Sequence, residues 1–138
     1  MRVFISHSSR DNPFTLTLRD QLRAWGHDTW LDLDDIPVGV RWPDAIDEGL
    51  RASDVIVGII TPASVDSPNV KNEWDWALQY AKPLYLLYLQ ETILPQRYVS
   101  INYIDLTRDQ SAGLNRLRTA LPTLRTDLKA DIAPAPPK

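Results

Sequence analysis

The run Val55-Ile56-Val57-Gly58-Ile59-Ile60 constrains this chain more than any other segment. Six residues without a polar side chain fit neither a half-solvated strand, which would alternate, nor the outer helix of a small domain. Ser53-Asp54 precedes the run and Thr61-Pro62 follows it, so it has the length of one strand and needs cover on both faces. Arg2–Ser6 and Leu84–Leu89 are two more nearly continuous apolar runs, and Asp28–Asp32 and Tyr98–Leu106 read as weaker strands of the same set.

Helical patterns fill the intervals. Asn12-Pro13 supplies an N-cap and a first-turn proline, Phe14, Leu18, Leu22 and Trp25 share one face, and Gly26 ends the helix as a left-handed cap. Trp42, Ile46, Gly49 and Leu50 mark a second helix. Ser67-Pro68 opens a third that Lys82-Pro83 stops, and Leu114, Leu117 and Leu121 mark a last one. Strands alternating with helices through right-handed crossovers predict an α/β, flavodoxin-like three-layer sandwich. Its five-stranded parallel sheet, of order 2-1-3-4-5, carries helices on both faces. Ligands of such sheets bind beyond the carboxyl ends of the strands. Here those ends are Ser6-His7-Ser8-Ser9, Asp32 to Val40, Thr61-Pro62 and the residues after Leu89.

The third helix contains a contradiction. Val70, Trp74, Ala77, Leu78 and Ala81 recur at the spacing of one helical face, and Glu73 falls within that stripe. An ionised carboxylate among apolar side chains costs several kcal/mol, roughly, unless something offsets it. The offset is either a function or a structural partner: Arg41, Lys71 or a backbone amide.

Other features narrow the function by exclusion. A chain of 138 residues is one domain long. Its 15 basic and 18 acidic residues give a net charge of -3, and no Lys/Arg run or basic amphipathic helix marks a nucleic-acid or membrane partner. Cysteine is absent, which rules out disulfides and thiolate metal sites and fits a reducing cytoplasm. His7 and His27 lack the spacing of metal ligands, and Asp32, Asp34 and Asp35 read as a solvated loop, so neither metal nor cofactor is expected. No glycine-rich phosphate loop follows the first strand, against a dinucleotide-dependent oxidoreductase or an NTPase. A phosphoacceptor receiver would carry an acidic pair after strand one and an aspartate ending strand three, where this chain has Ser6-His7-Ser8 and Thr61-Pro62.

The series Phe4-Ile5-Ser6-His7-Ser8, Gly26-His27-Asp28-Thr29-Trp30-Leu31-Asp32 and Asp35-Ile36-Pro37-Val38-Gly39-Val40-Arg41-Trp42 continues through Ile46–Asp54, Thr61–Val65 and Asn72-Glu73-Trp74. In that order it resembles the TIR (Toll/interleukin-1 receptor) domain in its bacterial form, over about residues 2 to 121. The resemblance implies one of two activities. Enzymatic members cleave NAD+ between nicotinamide and ribose with a glutamate on the helix after strand three, the place of Glu73; others are scaffolds that recruit further TIR domains. It further implies that Trp42 stacks on the nicotinamide or on a neighbour's adenine. Ser6, His7, Ser8, Arg10 and Asp32 would line the NAD+ site, with Arg10 toward the pyrophosphate. Where the axonal animal type has a basic pair, this chain has His7-Ser8.

By the same resemblance, the site assembles between neighbouring TIR domains through Pro37, Val38, Gly39, Val40 and Arg41. Trp76, in an i, i+4 pair with Tyr80, offers a second packing surface. Trp25 and Trp30 read as core. The expected organisation is a TIR domain over 1–125 and an Ala/Pro-rich linker over 126–138, leading to a sensor domain. The expected function is a cytoplasmic NAD+ glycohydrolase, releasing ADP-ribose or a cyclic form of it, as the effector of a prokaryotic defence protein. Two rivals remain. One is a non-catalytic TIR adaptor or host mimic, and the other is a nucleoside transferase that also places a glutamate beside a ribose.

Overall fold

The computed structural model describes residues 1–31, 42–101 and 103–121, apart from the side chain of Trp42. Strands β1 (Arg2–Ser6), β2 (Asp28–Trp30), β3 (Val55–Ile60), β4 (Leu84–Tyr88) and β5 (Tyr103–Asp105) form one sheet in the order β2-β1-β3-β4-β5. Every pairing is parallel. The helices are α1 (Asn12–Ala24), α2 (Trp42–Ala52), α3 (Pro62–Val65), α4 (Pro68–Gln79), α5 (Gln96–Val99) and α6 (Gln110–Ala120), with a 3-10 turn at Ser9–Asp11.

Strand parity divides the core in two. Val3, Ile5, Val55, Val57 and Ile59 pack with Leu18 and Leu22 of α1 and Leu117 of α6. Phe4, Ile56, Ile60 and Leu86 pack on the other face with Leu50 of α2, Val70, Trp74 and Ala77 of α4, and Tyr98 of α5. The expected three-layer sandwich and strand order are therefore present, and β3 is buried along its whole length.

Several local expectations are corrected. Asn12 is the first residue of α1 rather than its cap; Asp11 holds the cap position, and the Asn12 amide is taken by His7. Thr61-Pro62 starts a helical turn, because Thr61 accepts from the Ser64 amide while Ser64 Oγ accepts from that of Thr61. The fifth strand is Tyr103–Asp105, and Tyr98 lies in α5 with its ring fully buried. Leu78 and Ala81 leave the apolar stripe of α4, with Leu78 43% exposed. Trp25 and Trp30 are half-buried; Trp30 stacks on Phe4 with centroids 4.7 Å apart. Gly26 takes the expected left-handed cap at φ +97°. Among the described residues no helix is long and apolar enough to cross a membrane.

Candidate active site

Parity and register bring two sequence-distant pairs together. Ser6 shares the face of Phe4, and Gly58 that of Ile56 and Ile60, so both look toward α2 and α4. Ser6 and Gly58 are also partners in the β1–β3 register. Glu73 and Trp74, consecutive on α4, land on that pair. Ser6 Oγ donates to Glu73 Oε1 at 2.5 Å. The Trp74 indole covers Gly58, where an added Cβ would stand 2.5 Å from Nε1. Glycine in the central strand lets α4 come this close, and the approach seats Glu73 over the end of β1. Glu73 is 8% exposed as a residue, and the serine hydroxyl supplies part of the compensation that burial of its carboxylate requires.

Glu73 opens onto a cleft of about 290 Å³ between two helices. From α2 come Pro43, Ile46, Asp47 and Leu50, and from α4 Asn69, Asn72, Glu73 and Trp76. Both helices follow a strand of a parallel sheet, so both begin at its carboxyl end, where Pro43 and Asn69 mark the mouth. The Asn69 and Asn72 side chains are exposed, and no hydrogen bond within the described residues engages them. Asp47 pairs with Arg51 at 2.9 Å on the exposed side of α2. Among the described residues, no group of three or more His, Cys, Asp and Glu side chains could hold a metal ion.

The other residues named from the sequence are placed unevenly. His7 is buried, its Nε2 3.0 Å from Asn12 Oδ1. Ser8 Oγ accepts from the Arg10 amide and caps the 3-10 turn, with Arg10 itself exposed. Asp32, Pro37, Val38, Gly39, Val40 and Arg41 lie outside the described residues, as does the ring of Trp42. Trp76 pairs with Tyr80 at 4.9 Å between centroids, and it also lines the cleft. The sequence reading missed Asn69, Asn72 and Asp47. Asn69 stands four residues before Glu73, so helical spacing alone would have found it.

A second network steadies the opposite side of α4. Arg97 grips Asp75 through Nε at 2.9 Å and Nη2 at 3.2 Å. Tyr98 Oη donates to Asp75 Oδ1 at 2.5 Å. The Arg97 guanidinium holds the Asp75 carboxyl below its usual range. Burial, aided by Asp75, pushes the Tyr98 phenol up to about 12. Thr61 Oγ1 donates to Asp11 at 2.7 Å and ties the loop after β1 to the end of β3.

Residues 3–118 match the sequence pattern of the TIR domain. The chain belongs to the TIR-domain family. No curated protein matches its sequence. Among solved structures, this TIR domain is similar to that of a Toll-related receptor from Hydra magnipapillata, at a TM-score of 0.76 and 15% identity over 85% of this chain and 97% of that one. A prokaryotic SEFIR domain aligns at 0.68, with 18% identity over 90% and 98% of the two chains. A CMP N-glycosidase of Clostridium botulinum aligns at 0.56, with 16% identity over 84% and 98%. At such identities the likeness is one of fold.

Proposed function

We propose that this TIR domain cleaves NAD+ at the nicotinamide–ribose bond, with Glu73 as its catalytic carboxylate and self-association as its activator. The observation that carries the reading is the seat of Glu73: a buried carboxylate, oriented by Ser6, at the wall of a cleft that opens at the carboxyl end of the sheet. The C1′–N bond breaks heterolytically, its electron pair leaving with nicotinamide and neutralising the pyridinium. The ribose is left with oxocarbenium character. A fixed carboxylate stabilises that positive charge, or holds the ribose hydroxyls beside it, and the apolar wall from Ile46, Leu50 and Trp76 strengthens the interaction by excluding water. Water then adds to C1′ and yields ADP-ribose with loss of a proton; attack by another atom of the same molecule yields a cyclic product. An N-glycosidase on the same fold is compatible with such chemistry. The biological role that fits is an effector of prokaryotic defence, which depletes NAD+ once copies cluster.

The test is nicotinamide release from NAD+ by the chain concentrated on a surface, wild type against Glu73→Ala. A folded variant slowed by about a hundredfold or more supports the reading, the loss typical of a removed transition-state contact. Equal turnover by both proteins removes Glu73 from the mechanism. An inactive clustered parent favours the adaptor, and release of base from nucleosides alone favours the transferase.

A further inference from the structure

The cleft is built asymmetrically, and the asymmetry bears on what it selects. Its α2 wall is largely apolar, with Pro43, Ile46 and Leu50, and its α4 wall carries two unengaged carboxamides, Asn69 and Asn72, beside Glu73 and Trp76. Of the ionisable lining groups among the described residues, Asp47 on α2 is paired with Arg51 at 2.9 Å, and Glu73 is the carboxylate beside the two amides. At about 290 Å³ the cleft lies near the lower end of the range of roughly 300–1,000 Å³ that suits compact ligands, enough for one flat ring and its sugar. Such a lining accepts a flat cationic ring bearing an uncharged group able to donate and accept hydrogen bonds. It rejects the same ring bearing a carboxylate, which would face Glu73 and leave the amide acceptors without a donor.

From this we infer that Asn69 and Asn72 are specificity-determining residues that select pyridine carboxamides over pyridine carboxylates. Within the proposed function, on which this inference rests, the domain takes NAD+ and discriminates against its deamidated analogue, in which nicotinic acid replaces nicotinamide. Asn72 precedes Glu73 and Asn69 lies one turn before it, so a carboxamide held by the two amides leaves the ring nitrogen and its ribose facing Glu73. The amides thus orient the bond to be broken as well as choosing its leaving group.

Two measurements separate this inference from the reading beneath it. The first is ligand-observed NMR of free nicotinamide and free nicotinate binding to the full chain, which needs no turnover. Nicotinamide should bind about tenfold more tightly, the value of one hydrogen bond made or one like charge avoided. Asn72→Lys, an exposed position, should shift the ratio about tenfold toward nicotinate. The second is kcat/KM of the clustered chain for NAD+ and for its deamidated analogue, whose ratio should move in the same direction in the variant. Equal binding of the two bases, or a ratio unmoved by Asn72→Lys, overturns the inference whatever the catalytic result. Absence of NAD+ cleavage with the binding preference intact overturns the proposed function alone.

Discussion

A single hydroxyl connects β1 to the chemistry. Ser6→Ala removes one hydrogen-bond donor to the buried Glu73 side chain, held at 2.5 Å. That omission costs about 1–3 kcal/mol. Both Tm and kcat should fall, while Ser6→Thr, which keeps the hydroxyl, should recover part of each. Thermal melts and steady-state rates of the pair check this, and a Ser6→Ala protein with unchanged kcat would reduce the contact to a structural one. Tyr98 gives a second residue-scale expectation, in pH. Its phenol keeps its proton up to about 12 in the folded chain, whereas an unfolded tyrosine loses it near 10. The folded state therefore binds the extra proton in that window, so stability present below pH 10 drains away as pH rises from 10 to about 12. Asp75 works in the opposite direction: its lowered carboxyl pKa lends stability at neutral pH that is lost as the solution becomes acid. Tyr98→Phe should flatten the alkaline fall of Tm relative to wild type, measured from pH 9 to 12; parallel curves would deny Tyr98 the role.

At the scale of elements, the end of α4 is more revealing than its middle. The Lys82 amide donates to the Ala77 carbonyl at 2.9 Å and the Ala81 amide to that of Leu78 at 3.4 Å, the two bonds of a Schellman cap. The residue that must be left-handed is Ala81, at φ +56°, where glycine is the ordinary choice. The cap turns Lys82 back toward α2. Its Nζ donates to the carbonyls of Ser53 at 2.5 Å and Arg51 at 3.4 Å and lies 5.7 Å from the Trp76 ring centroid. The two helices that wall the cleft are thereby fastened together away from its mouth. Ala81→Gly should raise stability by about 1 kcal/mol, seen as a Tm a few degrees higher. In contrast, Gly58→Ala should lower it by several kcal/mol, roughly, because the new methyl meets Trp74 and Leu86. Urea titrations of both variants test the signs. Such details set the boundary of what was legible from the chain. The unbroken apolar runs required a buried parallel sheet, and the stripe on α4 singled out Glu73, because burial has a clear one-dimensional signature. The partner of Glu73 had none: it depends on the β1–β3 register and on Gly58 admitting Trp74, both properties of pairing across the chain. The shortening of β5 was hidden for a similar reason, since Tyr98 is as apolar as a strand residue and its place on α5 rests on tertiary contacts, edge-on to Trp74 and bonded to Asp75.

At the scale of the whole molecule, the cleft is smaller than the proposed substrate. Under the proposed function, its volume of about 290 Å³ suffices for the nicotinamide–ribose half alone, and the adenylate half would extend past Pro43 and Asn69. The lining residues described there include no basic group for the pyrophosphate, so the remainder of the site has to come from elsewhere. Residues 37–41 carry Arg41, and the resemblance assigns that segment to contact with a neighbouring copy. A net charge of -3 opposes such contact only weakly. The rate per chain should therefore rise with surface density, measured as nicotinamide release from NAD+ by chains tethered to vesicles at a series of loadings. Dilution with Glu73→Ala copies at constant total density refines the expectation. If a neighbour supplies only the contacts around the mouth, each wild-type chain should keep its activity among inactive neighbours. Dilution with empty lipid over the same range should instead extinguish it. A rate per chain that stays flat with density would mean that one copy builds the whole site.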